Sequence, residues 1–279
     1  MRTLTATIGL VCALATSSIA NAALSGCAKN LALRVTNIYE NGDTEFHYDY
    51  CENIHDGRGY TSGIAGFCTG TSDAWVVLQE YHRMTGGKDE FSQYDAVMKK
   101  LDKSGSGSTT GLDGYCKTWE KLGKSDPKFR TAQEKVRDEM YFDPSQKLAD
   151  SLDAQLDVTR AQIYDASIQH GIGEGYDSIG GLIKRTNESF KADASGSSGS
   201  TLKVNGHNVD EIVWLNKFLK VRMDDLKNPH NKETQKEWSG SVTRVKSYQY
   251  IVAQKQYRWD SSIKALDNDG KVAEVKCKI

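Results

Sequence analysis

Along most of its length the chain carries apolar residues at helical spacing, and it breaks that rhythm sharply between Phe46 and Phe67. In the periodic parts a side chain returns to the same face every three or four residues, which is what an amphipathic helix needs. Leu31, Leu33, Val35 and Ile38 predict a helix over 29–39. A Thr71-Ser72 N-cap signal opens another over 73–81, with Trp75, Val76, Val77 and Leu78 crowding one side. Leu148, Leu152, Leu156 and Ile163 predict one long helix over 145–169, with Pro144 at its first turn, where a missing N–H is harmless. Ile212, Val213, Phe218, Leu219 and Met223 predict a helix over 209–226, and a mixed aromatic and basic run predicts one over 243–265. The exceptional stretch has glycines at 57, 59, 63 and 66, with Tyr60, Thr61 and Ile64 among them, a texture of short strands and turns. The expected fold class is therefore α+β and mainly helical, with a small β-sheet in the first third. Two Ser/Gly-rich tracts, 104–111 and 194–200, read as mobile surface loops.

The N-terminus reads as an address. Residues 1–22 carry Arg2, then an uncharged stretch rich in Leu, Ile, Val and Ala, and end in Ala20-Asn21-Ala22, a small-x-small cleavage pattern. We expect a signal peptide over 1–22 and a secreted, extracellular mature chain over 23–279. Leu24-Ser25-Gly26-Cys27 also resembles a lipoprotein box, so the alternative is a chain lipid-anchored through Cys27. No other segment is apolar enough for a membrane span. Five cysteines follow residue 22: Cys27, Cys51, Cys68, Cys116 and Cys277. Export permits disulfides. Cys68, in the apolar run Ile64–Cys68, reads as a small buried thiol. The other four allow three pairings, of which we favour Cys27–Cys277, tying the chain ends, and Cys51–Cys116.

Charge and spacing exclude several chemistries. With 36 basic and 37 acidic residues, the net charge of −1 argues against a nucleic-acid binder. No CxxC pair or HExxH occurs, so no metal is expected, and no GxSxG, GxGxxG or phosphate-binding GxxxxGK is present. Asp267-Asn268-Asp269-Gly270 begins like a calcium loop, but Lys278 stands where a bidentate Glu is required, so it reads as a surface turn. What remains is a carboxylate pair. Glu40 closes the first helix, and Asp56 lies in the glycine-rich stretch His55-Asp56-Gly57-Arg58-Gly59. Glycosidic hydrolysis needs one carboxyl to protonate the leaving oxygen and another to take a proton from water. With 37 acids in the chain, spacing alone does not single this pair out.

The run from Asp56 to Asp73, DGRGYTSGIAGFCTGTSD, resembles without gaps the signature of the chitosanases of glycoside hydrolase family 46. Three later blocks add to it: Arg137-Asp138-Glu139-Met140-Tyr141-Phe142-Asp143-Pro144, Tyr164 to Gly171, and Leu215 to Arg222. Together they span about residues 30–260. The resemblance implies a lysozyme-like two-lobed fold with a substrate cleft between the lobes, so that 23–279 is a single catalytic domain made of two lobes. It implies endo-hydrolysis of β-1,4-linked glucosamine polymers with inversion. Glu40 matches the general acid, Asp56 the general base and Thr61 the hydroxyl that holds the attacking water. An inverting pair stands about 6.5–9.5 Å apart. Arg244 matches the arginine that pairs with the acid, and Arg222 the one that pairs with Asp165. Arg58 lies beside Asp56. Tyr50, Asp73, Tyr141 and His170 match cleft positions, and Asp165 a residue that positions its neighbours. The expected partner is chitosan, a polycation that acidic groove residues would recognise. No cofactor, no nucleic acid and no membrane span are expected, and the protein is expected to act as a monomer. The interval from Glu40 to Asp56 is two residues shorter than in bacterial family members, which makes Glu45 and Glu52 the fallback acids. The competing functions are a lysozyme-like hydrolase of chitin or peptidoglycan and a non-catalytic carbohydrate-binding protein.

Overall fold

The computed structural model describes residues 23–279; the expected signal peptide, residues 1–22, lies outside the described residues. The chain builds two hydrophobic cores. The first is formed by α1 (Gly26–Asn41), α6 (Asp143–Ser151), α7 (Asp157–His170), α8 (Ile179–Glu188), α9 (Glu211–Lys227) and α11 (Val242–Ala253), with the hairpins β4–β5 (Thr201–Val204, His207–Asp210) and β6–β7 (Ser262–Leu266, Val272–Lys276). The second is formed by β1–β2–β3 (Cys51–Glu52, Thr61–Ser62, Phe67–Cys68), α2 (Asp73–Thr85), α3 (Asp95–Ser104), α4 (Tyr115–Ser125) and α5 (Pro127–Arg137). The short α10 (Gln235–Gly240) sits before α11. The expected mainly helical, two-lobed α+β architecture is what the chain adopts.

The glycine-rich stretch is an antiparallel three-stranded sheet, with Cys51 opposite Ser62 and Thr61 opposite Cys68. Its strands are only two residues long, too few to hold a sheet on backbone bonds alone. Side chains from the helices support it. Gln133, fully buried, donates to the Tyr48 carbonyl at 3.0 Å and accepts from Ile64 N–H at 3.3 Å, and Trp119 Nε1 donates to the same carbonyl at 3.0 Å. Cys51–Cys116 ties β1 to α4, and Cys27–Cys277 ties α1 to the last strand. Both favoured pairings are formed, and Cys68 is a buried free thiol. The Cys27 sulfur is thus bonded to Cys277 and not free to carry a lipid.

Two connections join the lobes. Phe46 packs against both cores, its ring lying under the Arg34 guanidinium at 4.9 Å. The second connection is an unbroken helical run over 127–151. Its middle, Asp138–Phe142, widens into a π turn, with Asp143 N–H reaching the Asp138 carbonyl. Pro144 has no N–H and its ring crowds the carbonyl four residues back, so the widened turn accommodates it.

Five expectations are corrected. The helix predicted over 145–169 is two helices, α6 and α7. The break comes from Glu211, which is fully buried and accepts from Gln155 N–H at 3.0 Å and Leu156 N–H at 2.9 Å. The helix predicted over 209–226 begins at Glu211, where Asp210 caps it by accepting from Ile212 and Val213 N–H; residues 207–210 are a strand. The run 243–265 is helical only to Ala253. Lys255 turns left-handed (φ 56°), and 262–276 form a hairpin around the Asp267–Gly270 turn. The two Ser/Gly tracts are fastened, not loose. Ser198 donates twice to Asp210 and Ser200 Oγ once to Glu211, while residue 107 lies against the Asp56 loop. Ser72 also makes no cap bond; the Asp73 carboxylate takes the Ala74 N–H instead.

Candidate active site

A cleft of about 380 Å³ opens between the two cores. Leu33, Tyr164 and Ile168 line it from the first lobe, Thr61, Ile64 and Ala65 from the second, and Phe46 and Tyr141 from the connections. Glu40 stands on its wall, in the last turn of α1, which ends where Gly42 turns left-handed (φ 86°). Tyr50, Arg58, Thr61 and Tyr141 also line it. Asp56, Asp73, Asp165, His170, Arg222 and Arg244 do not touch this cavity; they lie beside or behind it. Glu40 is the one acid among the described residues lining the cavity, and Arg58 and Arg137 bring positive charge. The acidic groove expected for a polycation is thus confined to the flanks, where Asp56 and Asp73 sit.

Glu40 is held from behind. Its Oε1 accepts from Arg244 Nη1 at 2.9 Å, while its side chain stays 42% exposed. Arg244 also donates to both oxygens of Asp165, at 2.8 and 3.2 Å, and Arg222 Nη1 donates to Asp165 Oδ2 at 2.6 Å. Asp165 is fully buried. Burial disfavours its charge, but the Arg244 and Arg222 guanidiniums outweigh that and hold its carboxyl at about 2. Removing it would leave two guanidiniums buried without their counterion, a loss of about 3–5 kcal/mol. Two positive charges and one negative one leave a balance that Glu40 can neutralise.

His170 is the last residue of α7 and is buried. Its Nε2 accepts from Arg222 Nε at 3.3 Å, and its Nδ1 donates to the Asp177 carbonyl at 2.9 Å, so the ring is neutral with the proton on Nδ1. Burial, and then the Arg222 charge, push it down to about 3, against an ordinary 6.5. The hydrogen bond to the Asp177 carbonyl and the Asp165 charge pull the other way and lose. Between those two values the unfolded chain binds the proton and the native one does not. The histidine's contribution to stability is therefore full above about pH 6.5 and is lost as pH falls toward 3. We expect the Tm of the wild type to fall more steeply from pH 7 to pH 4 than that of His170→Gln. The excess should be at least about 2–4 °C, the effect of roughly 1 kcal/mol at this size. Equal slopes by calorimetry would show that His170 does not titrate in this way.

On the opposite side, Asp56 sits in a tight turn after His55, whose φ is 57°. Its Oδ2 accepts from Arg58 Nε at 2.7 Å and its Oδ1 from Arg58 N–H at 3.0 Å. These two bonds, the side-chain one first, hold its carboxyl below the ordinary aspartate value although the group is exposed. Thr61 is 8% exposed, and its Oγ1 lies 3.5 Å from Cys68 Sγ. Asp73 Oδ1 accepts from Cys68 N–H, Thr71 Oγ1 and Ala74 N–H, which fixes the carboxylate at the start of α2. Tyr50 is exposed, with its hydroxyl 3.3 Å from Glu52.

The arrangement sets one carboxyl on the first lobe and one on the second, with the buried Thr61 hydroxyl and three tyrosines, Tyr50, Tyr141 and Tyr164, beside the cleft. Sequence reasoning gave no role to Phe46, Arg137, Tyr164 and Ile168, which also line it. Arg137, Tyr164 and Ile168 lie inside the quoted blocks, so the signal was present; Phe46 carried none. Gln169 was also missed: it accepts from Arg222 Nη2 at 2.7 Å and donates to Ser241 Oγ at 2.5 Å.

The profile described as Glycosyl hydrolase family 46 matches residues 34–260. A chitosanase of Bacillus subtilis is 40% identical over 248 residues, covering 89% of this chain and 85% of its own. A Streptomyces chitosanase is 36% identical over 198 residues, covering 70% and 65%. The crystal structure of a native Bacillus subtilis chitosanase superposes with a TM-score of 0.72 at 37% identity, covering 91% of this chain and all of that one. A Gynuella sunshinyii chitosanase in complex with chitotetraose gives a TM-score of 0.71 at 33% identity over 91% of this chain and all of that one.

Proposed function

The chain belongs to glycosyl hydrolase family 46, and from that premise we propose that it is an exported endo-chitosanase that cleaves β-1,4 bonds between glucosamine units with inversion. That it hydrolyses chitosan follows from its relatives; the residue roles are our reading. The observation that carries them is the division of the two carboxyls between the lobes: Glu40 on the cleft wall and Asp56 on the loop beside the cleft-lining Arg58. In this reading Glu40 protonates the leaving oxygen. Sugar packed over its carboxyl would exclude water from the reacting atoms, while Arg244 keeps it aimed. Asp56, kept ionised by Arg58, takes the proton from a water held by Thr61 on the other face of the sugar. The new C–O bond forms from that water as the glycosidic bond breaks. Tyr50, Tyr141 and Asp73 would contact the chain, the tyrosines through their ring faces and Asp73 through an amine. Asp165, Arg222 and His170 act from behind, through Arg244. Export is supported by the two disulfides and the N-terminal pattern.

The test is product sizing on matched soluble chitosan and N-acetylated chains with purified mature protein. Rapid loss of chitosan chain length with short oligomers accumulating is the expected result. Preferential cleavage of the acetylated chain, or release of monomer alone, would contradict the reading.

A further inference from the structure

We infer that the Ser/Gly tract between α3 and α4 is a backbone clamp that sets the position of the Asp56 loop, with Gly107, Gly70 and Thr69 as positioning residues for the reaction. The inference rests on the reading of Asp56 as the general base. Three backbone segments meet here, around residues 57–59, 69–70 and 107. A Cβ on Gly107 would lie 1.9 Å from the Gly57 carbonyl oxygen and 2.9 Å from Gly59 N. A Cβ on Gly70 would lie 2.8 Å from the Arg58 carbonyl oxygen and 2.9 Å from the Gly107 Cα. Gly70 N–H donates to the Arg58 carbonyl at 2.9 Å, and Tyr60 N–H to Thr69 Oγ1 at 3.0 Å. The chain is thus gripped immediately after Asp56, on both sides.

The glycines at 70 and 107 answer to space and not to torsion, since neither lies in the left-handed region. Gly105 is different: it turns left-handed (φ 60°) and has open space around it. The tract is anchored at its ends by the buried Leu101 and Leu112. Gly107 therefore serves close approach of backbones, where a linker would use a glycine for freedom. A methyl group on residue 107 forces the Gly57 carbonyl away by about an ångström. A misplacement of that size at a catalytic group lowers the rate by roughly 10²-fold. Glu40, on α1, is not part of the clamp.

The experiment compares Gly107→Ala, Ser108→Ala in the same tract, and Asp56→Asn, with kcat and KM per folded molecule and Tm for each. We expect Gly107→Ala to lower kcat roughly 10- to 100-fold with KM changed less than about threefold, and Ser108→Ala to match the wild type. Should Gly107→Ala fail to fold, Thr69→Ala reads the other side of the clamp without adding an atom. It should lower kcat by roughly several-fold, and Thr69→Ser should restore it. An unchanged kcat in Gly107→Ala (in Thr69→Ala, if that is the variant that folds) overturns the clamp, whether or not Tm drops. A raised KM with unchanged kcat places the tract on substrate and overturns it too. An active Asp56→Asn would instead remove the reading on which the clamp rests.

Discussion

Glu40→Gln is expected to lower kcat roughly 10²–10⁴-fold, the usual contribution of a positioned proton donor, while the protein folds normally. The substitution isolates the proton. A glutamine carbonyl still accepts from Arg244 Nη1, so the arginine network behind it keeps its geometry, and the side chain it replaces is 42% exposed. The loss corresponds to about 3–5 kcal/mol of transition-state stabilisation, with little change in KM. The neighbouring carboxylates serve as controls. Glu45 faces away, paired with Lys278 at 2.5 Å, and Glu52 sits by the Tyr50 hydroxyl. Steady-state rates on chitosan decide between them: a normal rate in Glu40→Gln with a collapsed rate in Glu45→Gln or Glu52→Gln would move the acid to that neighbour.

Asp56→Asn should produce a loss of similar size, for a different reason. The asparagine keeps an oxygen that can accept from Arg58 but cannot take a proton from water, so the nucleophile is no longer activated. Because Asp56 is exposed and outside both cores, its Tm should match the wild type. The two variants differ in what would restore them. A substrate with a good leaving group needs no proton donor, so it should recover much of the Glu40→Gln rate and none of the Asp56→Asn rate. Equal recovery in both, measured with an activated aryl glycoside of a glucosamine oligomer, would contradict the assigned roles.

The helices over 29–39 and 73–81 were legible because their apolar faces are local patterns, and the sheet because glycines and β-formers cluster between Phe46 and Phe67. The break between α6 and α7 was not legible. Its cause is Glu211, 55 residues beyond the Leu156 N–H it captures, and no local signal at Leu152–Leu156 outweighs the leucine repeat. The same applies to 262–266, which becomes a strand only because 272–276 folds back onto it. For the site, spacing alone offered Glu40 and Asp56 as one pair among many. Resemblance singled them out, and the fold sets them on different lobes. His170 matched a cleft position by sequence, whereas the ring is buried against Arg222. The Ser/Gly tract at 104–111 is the sharpest contrast. Its composition is that of a flexible linker, and only the three-dimensional approach of residues 57 and 107 reveals that small size, not freedom, is what Gly107 supplies.

The most direct test of the central claim, that Glu40 and Asp56 hydrolyse the bond in one displacement, is the anomeric form of the first product. Proton NMR in the first minutes of chitosan cleavage, before mutarotation, should show the α-anomer accumulating ahead of the β-anomer, with no signal in Glu40→Gln. A β-anomer appearing first would mean retention of configuration through a second displacement, and would contradict the roles given to both carboxylates.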